Sequence, residues 1–119
     1  MTVSVPIPGL RLASLNVREH WARKAARVKR ERNLVTLVLR GTVAAQMMLV
    51  APLVVTITRV GPRRLDDDNA TGSAKACRDA IAAVLGVDDR DPRVRWQVTQ
   101  AAGPYAVRIA IHPAEETKS

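Results

Sequence analysis

The sequence predicts a small mixed α/β domain of the α+β kind, with two helices packed on a mixed β-sheet in the order β-α-β-α-β-β. Three observations predict it. A β-branched run at 52–60 stops at Gly61-Pro62, two segments carry apolar residues at helical spacing, and two alternating runs fall within 93–112. The chain has 119 residues, 47% of them apolar and 25% charged, which suits a single core. One domain is expected over 1–112, with a flexible tail at 113–119.

Residues 2–12 alternate loosely and contain Pro6, Pro8 and Gly9. Proline cannot donate to a central ladder, so an edge strand or extended arm is expected there. Asn16 is a suitable cap for a long basic amphipathic helix over 17–39. Its expected buried stripe is Trp21, Ala25, Val28, Val35 and Leu39, with Arg18, Arg23, Lys24, Arg27, Lys29 and Arg30 mostly off it. A strand is the alternative for 34–39, and Gly41 ends the element either way. In the clearest strand, 52–60, Val54, Thr56 and Thr58 alternate with Val55, Ile57 and Arg59. Ser73 is the expected cap of a helix over 74–85, closed by Gly86. That helix should bury Cys77, Ile81, Val84 and Leu85, with Lys75 and Asp79 on the opposite face. Residues 93–99 and 105–112 read as strands joined at Gly103-Pro104, so a C-terminal hairpin is expected.

The longest nearly apolar stretch, 42–55, contains Gln46 and Pro52 and is shorter than the roughly 20 residues of a membrane-spanning helix. No membrane partner is expected. No secretory signal pattern opens the sequence, and the single cysteine, Cys77, has no internal disulfide partner, so a reducing, cytoplasmic setting is expected. The net charge of +8 draws the protein toward a polyanion, nucleic acid first. The charge is unevenly spread. Residues 63–91 hold seven Asp against five Lys and Arg, a balance of −2, and the rest of the chain sums to +10. A basic body with one acidic patch suits an enzyme that attracts phosphates and holds cations against them; a basic protein with one acidic loop has the same arithmetic.

The run Arg63-Arg64-Leu65-Asp66-Asp67-Asp68-Asn69 follows the strongest strand directly, and Lys75, Asp79 and Asp88-Asp89 come after it. On an extended segment Asp66 and Asp68 point the same way and could share a metal. Crowded carboxylates repel, which raises their pKa unless cations neutralise them. All-oxygen ligands suit Mg²⁺, with Mn²⁺ as a substitute, whereas Cys77, His20 and His112 are too scattered for zinc. Carboxylate-held Mg²⁺ beside a lysine and a basic surface suits phosphodiester hydrolysis, with Lys75 adding charge at the phosphate or orienting water. The rival reading is plainer. Asp-rich segments after strands are often solvated turns, and Lys75 and Asp79 at i,i+4 make a surface pair worth about 0.2–0.5 kcal/mol. A calcium loop starting at Asp67 fails at its twelfth position, where Arg78 replaces the required Glu.

These residues resemble the RusA-type Holliday-junction resolvases, small endonucleases common in phages and prophages. Asn16, His20 and Trp21 on the basic helix carry the likeness, as do Asp66, Asp68 and Asn69 as Asp-x-Asp-Asn, Lys75 four residues before Asp79, and the pair Asp88-Asp89. The resemblance covers about residues 12–112. It implies a Mg²⁺-dependent endonuclease that cuts branched double-stranded DNA as a homodimer, a two-fold protein on a two-fold junction. It also implies Asp66, Asp68 and Asp89 as metal ligands and Lys75 as catalytic assistant. Lys75 lies seven residues after Asp68, farther than the family spacing, so Arg64 and Arg78 are alternatives for part of its charge. Asp67, Asp88 and Asp91 are alternative carboxylates. Arg18, Arg23, Lys24, Arg27, Arg63 and Arg64 are the expected DNA contacts, which position a backbone without reading its sequence. The alternative from another class is a noncatalytic basic nucleic-acid-binding module with a relic acidic site. A single-strand reader is disfavoured, because Phe is absent and only Trp21, Trp96 and Tyr105 could stack on bases.

Overall fold

Pro6 and Pro8 fall where a ladder tolerates them, on the edge strand β1 (Val3–Pro8). A computed structural model describes residues 1–14 and 18–114, so the expected cap Asn16 and the expected tail from 115 onward lie outside the described residues. The other strands are β2 (Leu53–Gly61), β3 (Val94–Ala102) and β4 (Ala106–Pro113), and the sheet order is β1-β4-β2-β3. β2 runs parallel to β3, with Leu53 opposite Val94, and antiparallel to β4, with Leu53 opposite Pro113. Pro113, expected in the tail, ends a strand, and the Ala114 N–H donates to the Pro52 carbonyl at 2.8 Å.

The expected C-terminal hairpin does not form, because β2 lies between β3 and β4. β2 buries Leu53, Val54, Val55, Ile57 and Val60 and so presents apolar side chains on both faces, which favours a central place with a partner on each edge. β3 exposes Arg95, Gln97 and Thr99 and takes the outer edge. The connection from β3 to β4 passes tightly over the end of β2. Gly103 donates to the Gly61 carbonyl at 3.2 Å, and a Cβ on Gly103 would stand 3.1 Å from Val60.

One sheet face meets the helices. Val55 and Ile57 of β2, with Val107, Ile109 and Ile111 of β4, pack against Val35, Leu39, Cys77 and Ile81. The opposite face carries a polar ladder, Thr58 to Thr99 at 2.7 Å and Thr56 to Gln97 at 3.2 Å.

The basic helix is α1 (Trp21–Arg40), and residues 34–39 are helical throughout. His20 caps it, its Nδ1 accepting from the Ala22 N–H at 3.2 Å, and Gly41 ends it as expected. The buried stripe differs from the expected one: Glu31, Val35 and Leu39 are buried, Val28 is half-buried, Ala25 is exposed and Trp21 is 76% exposed. The apolar density of α1 lies in its second half. Burying the first turns to cover Trp21 would desolvate the Arg23 and Lys24 heads beside it.

A 3₁₀ segment at Ala44–Val50, absent from the expected element order, buries Ala44 and Met47. The stretch after β2 also differs: it forms a short helix, α2 (Asp67–Ser73), before α3 (Lys75–Leu85). Ser73 does not cap α3. Its hydroxyl donates to the Ala70 carbonyl at 2.8 Å, inside the preceding turn. α3 buries Cys77, Ile81 and Leu85, leaves Val84 half-buried, and ends at Gly86 in the left-handed conformation, φ 77°. Among the described residues no single helix is long and apolar enough to cross a membrane.

Candidate functional site

β2 delivers the acidic run through a fixed exit. Arg59, on the inward row of β2 and 5% exposed, donates from Nε to the Leu12 carbonyl at 3.3 Å and from Nη1 to the Arg63 carbonyl at 2.8 Å. Gln100 of β3 then grips Leu65 twice, accepting from its N–H at 2.9 Å and donating to its carbonyl at 2.8 Å. The next residue, Asp66, caps α2. Its Oδ1 accepts from the Asn69 N–H at 2.9 Å and its Oδ2 from the Asn69 side-chain amide at 2.8 Å. Asp67 and Asp68 occupy the first helical turn, exposed, where the helix dipole favours negative charge. Asp66 and Asp68 are therefore not two positions along an extended segment. They are a cap and a first-turn residue, gathered at one exposed helix start. Arg64 lies 3.6 Å from Asp67 with both side chains largely exposed, a pair of little energetic weight.

Lys75 and Asp79 do more than face solvent. Asp79 Oδ2 accepts from Arg32 Nη2 at 2.9 Å, tying α3 to α1, and lies 3.5 Å from Lys75 Nζ. A cavity of about 550 Å³ opens here, between α1 and the α2–α3 junction. Its walls carry five cations, Arg18, Lys24, Arg27, Arg32 and Lys75, against Glu19, Glu31 and Asp79. Arg27 is already engaged: Nε and Nη2 donate to Glu19 Oε1 at 3.0 and 2.6 Å, and Nη1 to Glu31 Oε1 at 3.0 Å. That hydrogen bonding holds the Glu19 carboxyl below its usual range and raises the Arg27 pKa. Burial outweighs it at Glu31, whose carboxyl is pushed up. Arg18 and Lys24 are exposed, as are Arg23, Arg63 and Arg64 outside the cavity lining. Cys77 is no nucleophile; burial drives its thiol up to about 12.

The remaining carboxylates of the acidic series, Asp88, Asp89 and Asp91, sit in the turn between α3 and β3. Asp88 Oδ1 accepts from the Arg90 N–H at 2.8 Å, and that bond, with the neighbouring Asp89 carboxyl, lowers its pKa. Asp91 accepts from the Arg93 side chain at 3.1 and 2.8 Å and from its N–H at 2.9 Å. Those bonds depress it from 3.8 to about 2. The shifts of Asp88 and Asp91 thus run opposite to the crowding expectation, because each has a local donor. Asp91 lies lower folded than unfolded, so its stabilisation is present above pH 3.8 and is lost as pH falls through about 2. Urea midpoints should therefore drop across that window in the parent protein and drop less in Asp91→Asn.

Topology separates the two acidic stretches. Asp66 follows Leu65, which is anchored on Gln100, whereas Asp89 is anchored on Trp96. Those anchors are four residues apart on β3, about 13 Å along a strand. Among the described residues no three His, Cys, Asp or Glu groups are placed together to hold a metal ion. Asp66 and Asp68 share the start of α2, where both Asp66 oxygens are taken by Asn69, and the Asp88 and Asp89 carboxyls adjoin each other. The donor chemistry of Asp66 and Asp68 still suits Mg²⁺, which keeps several waters and takes one or two carboxylates.

Arg59, Gln100, Arg32, Glu31, Arg78 and Trp96 were not assigned site roles from the sequence, apart from Arg78 as a possible source of charge. The available signal was alternation. Arg59, Trp96 and Gln100 sit on inward rows of otherwise apolar or β-branched strands, where a polar group needs a partner.

A thiamine-monophosphate kinase from Stenotrophomonas maltophilia K279a superposes with a TM-score of 0.44 at 11% identity, over 93% of this chain. The chain spans 29% of that kinase chain, and neither fold nor activity transfers at such similarity. No family model matches the sequence. A protein of Xylella fastidiosa (strain Temecula1 / ATCC 700964), described as uncharacterized, is 34% identical over 134 aligned positions, covering 95% of this chain and 87% of the relative. This chain belongs to the same family as that Xylella protein.

Proposed function

We propose that the protein is a Mg²⁺-dependent endodeoxyribonuclease that cuts phosphodiester bonds in branched DNA, working as a symmetric homodimer. The observation that carries this reading is the basic cavity. Lys75, from the acidic series, shares its walls with Arg18 and Lys24, from the basic helix. Residues far apart in sequence thus line one space of about 550 Å³, large enough for a phosphate and its sugar. Ser73, which also lines it, ends the helix that Asp66 caps, so the acidic start of α2 lies about one seven-residue helix, or 10 Å, away.

The roles follow from what each group can do. Lys75 offers charge to a phosphate oxygen, and Asp79, itself bound by Arg32, keeps that ammonium close to the wall. Asp66 and Asp68 would hold Mg²⁺, and Asp89, whose anchor lies about 13 Å from theirs along β3, stands apart from that pair. The metal, when bound, supplies an activated water and neutralises charge on the phosphate. Arg18, Arg23, Lys24, Arg63 and Arg64 meet the DNA backbone, while Arg27, occupied by Glu19 and Glu31, shapes the cavity wall.

The test is a labelled four-way junction incubated with Mg²⁺ or with EDTA. Nicks in Mg²⁺ alone, with a linear duplex of the same sequence spared, are the expected result. Salt-sensitive binding without nicks in either condition would end the nuclease reading in favour of a noncatalytic DNA-binding module.

A further inference from the structure

The first turns of α1 stand clear of the core: residues 21–26 are all exposed. Helical spacing puts residues 21, 28, 32, 35 and 39 on one side of the helix. Along that row Leu39 and Val35 lie in the core, Arg32 and Val28 line the cavity between α1 and the α2–α3 junction, and Trp21 comes last, 76% exposed. Lys24, three residues after Trp21, lines the same cavity. The indole is therefore based about one helical turn, 5 Å, beyond the cavity wall and on the cavity's side of α1.

His20 steadies the indole there. Its Nδ1 accepts from the Ala22 N–H at 3.2 Å, which fixes the imidazole at the helix start, and the two ring centroids are 5.5 Å apart with a 33° tilt. The surrounding charge narrows what can cover the indole. Residues 18–30 hold six Lys and Arg against Glu19 alone, and Arg27 already occupies Glu19. A second copy of this helix would bring like charges together, whereas a polyanion complements them. An aromatic ring beside cations is the combination that takes a nucleobase on its face and the flanking phosphates on its neighbours, here Arg23 and Lys24. In a linear duplex each base face is covered by the next pair. Where arms part, a face comes free, and least energy is needed to reach it.

We propose that Trp21 is a specificity-determining residue, which stacks on the base face left open at a branch point and so favours branched over linear DNA. This rests on the branched-DNA reading above and assigns that choice of substrate to one side chain.

The test is run in EDTA, so that no cutting intervenes. A four-way junction should quench the part of the tryptophan emission that Trp21→Phe lacks, and a linear duplex of the same sequence should not. Trp21→Ala should weaken junction binding about tenfold, within the range that one stacked base gives, and leave duplex binding unchanged. Trp21→Phe keeps a ring and should restore most of that loss. The salt slope of junction binding should be the same in Trp21→Ala as in the parent, whereas Lys24→Gln should weaken junction and duplex alike and flatten the slope by about one. Trp21 is exposed, so its substitution opens no core, and an unchanged thermal midpoint checks this. Parental junction affinity in Trp21→Ala, an equal loss on duplex, or no quenching by the junction overturns the proposal. So does loss of self-association in Trp21→Ala at unchanged junction affinity, which would make the indole a contact between copies. Quenching and discrimination as expected, without nicks in Mg²⁺, uphold the role of Trp21 and end the nuclease reading. Nicks in Mg²⁺ with parental affinity in Trp21→Ala do the reverse.

Discussion

Asp68→Asn is expected to abolish Mg²⁺-dependent cutting of a four-way junction while leaving junction binding intact. Asp68 stands exposed in the first turn of α2 and caps nothing, so an isosteric amide removes charge and little else. The folding cost is limited to a first-turn dipole interaction, about 0.3–1 kcal/mol. Loss of a direct ligand should exceed the roughly 10–100-fold cost of an outer-shell partner, so the single-turnover rate should fall by at least about a hundredfold. Asp66 is a less clean probe, because Asp66→Ala would also remove the helix cap, at about 1 kcal/mol. Asp66→Asn keeps a capping acceptor and is the better companion. Cleavage at saturating protein, with a gel shift in EDTA, separates chemistry from binding. Near-normal cutting by Asp68→Asn would remove that residue from the site.

Arg59→Ala is expected to be the most damaging change at the exit of β2, lowering stability by about 3 kcal/mol. The substitution strips the buried Leu12 carbonyl and the part-buried Arg63 carbonyl of their donor, and a buried acceptor left alone costs about 1–3 kcal/mol. It also empties the space over Gly61, where a Cβ would lie only 3.0 Å from Arg59 Nη1. Because Arg63 precedes the acidic run, the loosened exit should reduce cutting more than it reduces DNA binding. Arg59→Lys should not rescue, since a single ammonium cannot span both carbonyls in this geometry. Urea denaturation at unchanged m-value measures the loss, and a change below about 0.5 kcal/mol would show the clamp to be incidental.

How far the sequence could be read depended on the range of the interactions involved. The clearest strand and the long helices were legible because their periods repeat over many residues and their stops, Gly41 and Gly86, are local. α2 was not, since Asp, Asn, Thr, Gly and Ser are turn-forming types and the helix exists through the Asp66–Asn69 cap and the burial of Ala70. The hairpin failed for a related reason. Gly103-Pro104 announces a reversal but says nothing of which edge the returning strand joins, and β2, apolar on both faces, took the place between. For the proposed site, the resemblance in residue type and order pointed to Asp66, Asp68, Lys75 and Asp89. That Asp79 answers to Arg32, or that Trp96 and Arg78 meet at Asp89, depends on packing between distant elements.

The insertion of β4 between β1 and β2 bears on how the molecule comes into being. Val3 pairs with Ile111, so β1 waits for β4 before it acquires a neighbour. Until residues 106–113 leave the ribosome, nascent β1 has no partner and β2 lacks one of its two. Sheet closure is thus a late, long-range event, slow relative to the local helices and vulnerable to edge-to-edge association while it is pending.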